Sequence, residues 1–351
     1  MRLVQKGLIV CWILGLLSTM VGCAKEPEKA EPLGKAYFSY FDTVSYVYSY
    51  AGDSAERFDN RSAEVADILN EYHQLFDIYH EYSGINNLCT VNRLAGGDPV
   101  EVDEKLIEFL KYAQELHGKT NGETNILLGS VLTIWHEYRT EGLEHPDTAR
   151  VPTQEELSAA AAHTDISLLE INEEHSTVRL SDPQASIDVG ALGKGYATEQ
   201  AALYLEQENA QGYVLNIGGN IRIIGTKPDG SGWVTGIKDP QNPSEGFSAK
   251  VLLSDISCVT SGSYERFYTV DGKPYHHIID KDTLWPATHL ASLTVFTKDS
   301  GLADALSTAL FCMSYEEGLS LLEEIPGVDA LWVFHDGEVR YTPGLSDKLV
   351  E

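Results

Sequence analysis

Apolar residues recur along this chain with two periods. Over 37–50 (YFSYFDTVSYVYSY) aromatic positions alternate with smaller ones, the period of a β-strand. Over 54–82 the apolar positions Val65, Ile68, Leu69, Tyr72, Leu75 and Phe76 follow helical spacing, and Ile107, Leu110 and Leu116 predict a second helix over 104–116. The same reading predicts strands at 186–189, 212–217, 233–237, 250–253, 257–260, 276–279, 293–297 and 330–334, with helices at 195–206, 302–311 and 315–324. Strands come in groups between single helices, without the βαβα rhythm of a doubly wound sheet, so the expected class is mixed α+β.

The first segment has a different pattern. Arg2 and Lys6 precede an apolar run over 8–21, too short for the roughly 18 residues of a membrane-spanning helix but right for an export signal. The run ends in Met20-Val21-Gly22-Cys23, similar to a bacterial lipobox apart from Met20 in the usual place of Leu. The expectation is a signal peptide over 1–22, lipidation at Cys23 and attachment to the outer face of the bacterial cytoplasmic membrane. Residues 24–34 (AKEPEKAEPLG) are polar and Pro-rich, a tether reaching roughly 40 Å when extended. The expected boundaries are an anchor and tether over 23–36 and one catalytic or binding domain over 37–345.

Composition narrows the partners. The 351 residues carry 53 acidic and 25 basic side chains, a net charge of −28 that becomes −30 once Arg2 and Lys6 leave with the signal. Such a surface repels nucleic acid, and any anionic ligand needs a local cation. Cys89, Cys258 and Cys312 are odd in number and widely spaced, so no disulfide framework is expected.

Three stretches carry chemistry. Ser186-Ile-Asp-Val-Gly-Ala-Leu-Gly-Lys-Gly-Tyr196 runs from an apolar segment through three glycines and a lysine into a helix, a turn whose N–H groups could meet phosphate, though it matches neither a Walker A loop nor G-x-G-x-x-G. Asp304 and Thr308 are four residues apart on one helix and share a face, an oxygen pair suited to Mg²⁺ or, more plainly, helix capping and back-bonding. In His276-His277-Ile-Ile-Asp280 one histidine at most faces a given site beside Asp280, which offers a single base or a packed structural residue. Val259 to Arg266 is an anion-friendly turn, and Asn216 to Asn220 is either that or a two-glycine hairpin.

Taken in order, these stretches resemble the ApbE family of FAD:protein FMN transferases: 41–43, 186–197 (family pattern D-x-G-A-x-x-K-G-Y-A), 215–220, 233–240, 259–266, 277–280 and 303–309. Residues 82–92 and 121–135 resemble the form carried by Gram-positive lipoprotein members. The resemblance implies an ApbE-like fold with two lobes around a flavin and metal cleft. It implies Mg²⁺-dependent transfer of the FMN half of FAD to a threonine hydroxyl of an exported acceptor protein, releasing AMP. The implied metal ligands are the Ala191 carbonyl, Asp304 and Thr308, and the implied flavin contacts are Phe41, Tyr82, Thr124, Asn125, Asp188, Lys194 and Ile278. Asp304 and His277 become the catalytic candidates, His277 as the base that takes the hydroxyl proton; an ordinary pKa of about 6.5 predicts loss of transfer in mild acid. Three departures stand out. The loop after Asp280 reads Lys281, Asp282, Thr283, Leu284, Trp285, Pro286 where the family has Pro and Gly at the first and fourth positions, Ser307 replaces an Asp of some members, and Phe41 replaces Met. The alternatives are a non-catalytic flavin-binding lipoprotein and an Mg²⁺-dependent FAD pyrophosphatase.

Overall fold

The computed structural model describes residues 31–242 and 244–350, and its second compact unit spans Pro32–Glu351. The signal, Cys23 and most of the tether lie outside the described residues. The chain opens with β1 (Leu33–Tyr40), β2 (Thr43–Ser49), α1 (Ala55–Phe76), α2 (Leu88–Arg93), β3 (Val100–Glu101), α3 (Glu104–Lys119), α4 (Gly129–Glu144), α5 (Gln154–Ala161), β4 (Leu169–Asn172) and β5 (Thr177–Leu180). It continues with α6 (Gly193–Gln207), β6 (Tyr213–Ile217), β7 (Asn220–Ile224), β8 (Trp233–Lys238), β9 (Phe247–Leu253), β10 (Ser257–Gly262), β11 (Phe267–Val270) and β12 (Lys273–His276). The last elements are β13 (Ser292–Thr297), α7 (Ser300–Cys312), α8 (Tyr315–Glu324), β14 (Asp329–Val333), β15 (Val339–Tyr341) and β16 (Leu349–Val350).

Eight strands form one antiparallel sheet in the order β1-β2-β6-β7-β10-β13-β14-β15. One face carries α6 and α7, whose Ala201, Leu205, Leu306 and Leu310 are buried against Leu215, Val295 and Trp332. The other face is covered by the sheet β16-β9-β8 through Trp233, Ile237, Val251 and Leu253. Being covered on both sides, β13 is buried at all six positions, Ser292, Thr294 and Thr297 included. The class is therefore α+β, as the grouping of strands predicts.

Several expected elements differ. The segment 37–50 is a hairpin: Tyr40 pairs with Thr43 across Phe41 and Asp42, whose φ values of 54° and 51° make a two-residue turn that alternation alone conceals. The first strand begins at Leu33, so ordered structure reaches into the expected tether. Residues 186–189 join no sheet. The Asn92 side chain substitutes for a strand, accepting from Ile187 N at 2.8 Å and donating to Ile187 O at 2.9 Å, while Asp188 N donates to Ile126 O at 2.8 Å. The strand expected at 276–279 ends at His276, because His277 and the two residues after it turn back toward 286–287. Cys89, Cys258 and Cys312 are free thiols.

Candidate active site

The site forms where the 186–195 turn meets α7. Helix α6 starts at Gly193 after its N-cap Leu192, so Gly195 N–H is one of the first-turn donors that find no partner inside a helix. It donates to Asp304 Oδ2 at 2.8 Å. Gly195 permits this because a Cβ there would strike the Ser300 carbonyl and Asp304 itself. The Ala191 carbonyl, just ahead of the helix, has no backbone donor among the described residues. One turn beyond Asp304 on the same face, the Thr308 hydroxyl is half-buried and has no protein hydrogen-bond partner there either.

Burial pushes the Asp304 carboxyl up from the ordinary carboxylate range, opposed by Lys194, by Gly195 N–H and by the Asn220 amide. Asn220 Nδ2 is buried and completes no hydrogen bond, so it serves Asp304 as a nearby dipole. The Asn216–Asn220 stretch is thus the two-glycine hairpin, with Gly218 and Gly219 at φ 58° and 96°, and its end residue faces the carboxylate. Ser307 turns away from the site, donating to Asp304 O at 2.9 Å and pairing with Ser261 at 2.8 Å. Three described His, Cys, Asp or Glu side chains gather nowhere as a metal site. The oxygen set here draws instead on one carbonyl, one carboxyl and one hydroxyl, hard donors that fit Mg²⁺.

The glycine turn does not cradle an anion through its amides. Gly190 N donates to Asp188 Oδ1, Leu192 N and Gly193 N donate to Val189 O, and Gly195 N goes to Asp304. The turn therefore contributes a carbonyl and Lys194, whose Nζ lies 3.5 Å from Gly190 O.

The two histidines are separated as their alternation requires. His276 Nδ1 accepts from Ile278 N at 3.3 Å, so its Nε2 carries the proton and donates to Ala287 O at 2.8 Å. That ring is structural. His277 Nδ1 faces Arg266 O at 3.2 Å, and a carbonyl only accepts, so the neutral ring keeps its proton on Nδ1 and leaves the Nε2 lone pair free. Burial and then the charges of Arg266, Lys194, His276 and Arg139 push its pKa down to about 3. The His277 ring is thus neutral throughout mild acid, and the loss of transfer expected near an ordinary pKa no longer follows. Asp280 is not its partner. The Asp280 carboxylate accepts from Asp282 N and Thr283 N at 2.7 and 3.0 Å and shapes the following loop.

That loop keeps its turn without the family's Pro and Gly. Leu284 takes φ 65°, its side chain is buried, and Trp135 Nε1 donates to its carbonyl at 2.9 Å. Lys281 ties the loop to Glu123 at 3.1 Å. Thr124 and Asn125 brace the same region, Thr124 donating to Ala305 O at 3.0 Å and Asn125 to Thr164 O at 2.9 Å. Ile278 is buried beside α7.

On the other side, Phe41 and Tyr82 both pack edge-on against His73, with ring centroids 5.6 and 6.4 Å away, and Phe41 N donates to His73 Nδ1 at 3.3 Å. Tyr82 donates to Asp77 at 2.8 Å, and its phenol is pushed up to about 12 by burial and then by that carboxylate. No motif singles out His73 or Asn92, because each acts through a contact with a residue at least nine positions away, whereas Asn220 ends the 216–220 turn that its glycines mark. Their polarity within otherwise apolar stretches was the available signal.

Comparison with known proteins gives the chain its relatives. A FAD:protein FMN transferase of Treponema pallidum is 31% identical over 357 residues, covering 98% of this chain and 94% of its own length. The solved ApbE protein of Thermotoga maritima superposes with a TM-score of 0.79 at 28% identity, over 92% of this chain and all of that one. The solved flavin transferase ApbE of Vibrio cholerae gives 0.74 at 26%, over 91% of this chain and all of that one. The sequence profile described as the ApbE family matches residues 42–332, so this chain belongs to the ApbE family.

Proposed function

We propose that this chain is an FAD:protein FMN transferase that moves the FMN half of FAD onto a threonine hydroxyl of an exported acceptor protein and releases AMP. The observation that carries the reading is the bond from Gly195 N–H to Asp304, which holds that carboxyl, and with it Thr308 one turn on, against the start of α6 where the Ala191 carbonyl and Lys194 lie. When bound there, Mg²⁺ supplies charge neutralisation to the diphosphate. Lys194 adds a second positive charge at the same place. His277 Nε2 takes the threonine proton while the oxygen forms its bond to the FMN phosphorus and the bond to the AMP oxygen breaks. A free Nε2 lone pair suits it to that step. Phe41, Tyr82, Asp188 and Ile278 shape the flavin side.

The direct test incubates FAD and Mg²⁺ with a threonine-bearing acceptor. Covalent flavin on the acceptor and stoichiometric AMP are expected. Unchanged FAD would identify a binding protein, and FMN accumulating without acceptor would identify a pyrophosphatase.

The same proposal places the enzyme outside the cytoplasmic membrane on a lipid anchor at Cys23, supported by the leader pattern over 1–23. No helix among the described residues is long and apolar enough to cross a membrane. Cys23→Ser should shift the protein to the soluble fraction with its activity intact, and continued membrane retention would refute the anchor.

A further inference from the structure

In a protein this acidic, cations without a carboxylate partner are informative. Most described arginines sit in ion pairs, Arg222 with Glu199, Glu206 and Asp255 among them. Arg139 and Arg266 have no ion pair and no side-chain hydrogen bond among the described residues. They come from unrelated elements, α4 and the start of the β11–β12 hairpin, yet converge on His277. Arg139 lines a small cavity with His136, Trp135, Tyr275 and His277, and the Arg266 carbonyl receives both the backbone N–H and Nδ1 of His277, at 3.1 and 3.2 Å. His136, one turn before Arg139 on α4, meets the Tyr79 hydroxyl at 3.0 Å.

The electrostatics agree with this placement. Burial and then Arg266 lower the Arg139 pKa, so the two guanidiniums repel each other, and the carboxylate whose field reaches Arg139 is Asp188. Asp188 Oδ1 already accepts from Gly190 N. Two unpaired cations whose charges both reach His277 make a local positive field that draws an anion. In the transferase reading Lys194 and the proposed metal ligands meet one end of the diphosphate, and the charges of Lys194, Arg266 and Arg139 all reach the His277 ring. The departing phosphate gains negative charge as its bond to phosphorus breaks, and a planar guanidinium matches phosphate oxygens in pairs.

We infer that Arg139 and Arg266 form a phosphomonoester subsite that binds the adenylate phosphate of FAD as it leaves. This inference rests on the transferase reading above. Its test uses the full-length chain and two probes, AMP and FMN, titrated calorimetrically with Mg²⁺ into the wild type and into Arg139→Gln, Arg266→Gln and Arg139→Lys. AMP affinity should fall about 10-fold or more in each Gln variant and less in Arg139→Lys, which keeps charge without the fork, while FMN affinity stays within about twofold. Equal melting temperatures are expected, since neither side chain bonds to the fold, and Arg139→Lys controls for any packing change. The single-turnover rate at saturating FAD should fall in parallel with AMP affinity. Unchanged AMP binding would overturn the inference, as would equal weakening of AMP and FMN, or an effect confined to the acceptor's KM, which would make the arginines an acceptor-docking surface. If no flavin is transferred but AMP binds through both arginines, the transferase reading fails and the subsite stands. If flavin is transferred and the variants bind AMP like the wild type, the subsite alone fails.

Discussion

Replacing His277 separates chemistry from architecture because its two contributions differ in size. Structurally the ring offers one hydrogen bond, Nδ1 to Arg266 O at 3.2 Å, from a half-buried position. Losing such a bond costs about 0.5–1.5 kcal/mol of stability. As a general base it is worth about 10²–10⁴ in rate, or about 2.7–5.4 kcal/mol of barrier. His277→Ala should therefore lower the melting temperature slightly while slowing single-turnover flavin transfer by two to four orders of magnitude. His277→Gln can still donate to Arg266 O but has no basic nitrogen, so it should be as slow as Ala and nearly as stable as the wild type. FAD affinity, read from flavin fluorescence, should change little in both. The pH profile adds a second check: with its pKa depressed to about 3, the ring is already neutral above that pH, so kcat/KM should show no His277 titration between about pH 5 and 7. A full transfer rate with weakened FAD binding in both variants would refute the base assignment. An acid limb near 6.5 that vanishes on substitution would refute the electrostatic account.

Asp304→Asn keeps an oxygen to accept from Gly195 N but removes the carboxylate charge, so transfer should vanish at ordinary Mg²⁺ while the fold stays intact by circular dichroism; retained activity would remove Asp304 from the metal set. Gly195→Ala should force α6 and α7 apart, since the new methyl meets the Ser300 carbonyl and Asp304, with a stability loss of about 1–3 kcal/mol in urea unfolding and a parallel loss of transfer. Asn92→Ala leaves both polar groups of the fully buried Ile187 unpaired and should cost about 2–4 kcal/mol in the same assay; a loss below about 0.5 kcal/mol would mean that water replaces the amide.

Much of the scaffold was legible because it is written in local periodicity. The 315–324 helix falls where the apolar spacing places it, bounded by a Ser314–Glu317 capping box, and β13 falls where the β-branched and aromatic residues of 293–297 place a strand. What failed were places where the backbone answers to distant side chains. Residues 186–189 have the composition of a strand, yet an amide from position 92 pairs with them, and no local pattern reports a partner 95 residues away. Phe41 and Leu284 take left-handed backbone at bulky residues, against their preference by about 1–2 kcal/mol each, and the surrounding packing holds them there.

The same logic explains why the metal candidates came from resemblance and not from spacing. Asp304 and Thr308 share a helix face, so their pairing is a matter of period. The Ala191 carbonyl joins them only through the fold, because Gly195 gives its N–H to Asp304 across the contact between α6 and α7 and so holds Asp304 at the start of α6. That contact depends on a glycine too small to separate the helices and on an ion-pair system beneath it. Buried Arg222 on β7 holds Glu199 of α6 at 3.4 Å, and Glu199 in turn accepts from Ser300 N, the first residue of α7, at 2.8 Å. One carboxylate thus fixes the start of α7 relative to α6, and with it the height of Asp304 one turn later. Glu199, named by no motif, is for that reason a positioning residue for the oxygen set: shortening its side chain should shift Asp304 and break its bond to Gly195 N–H, disrupting the site without touching any ligand.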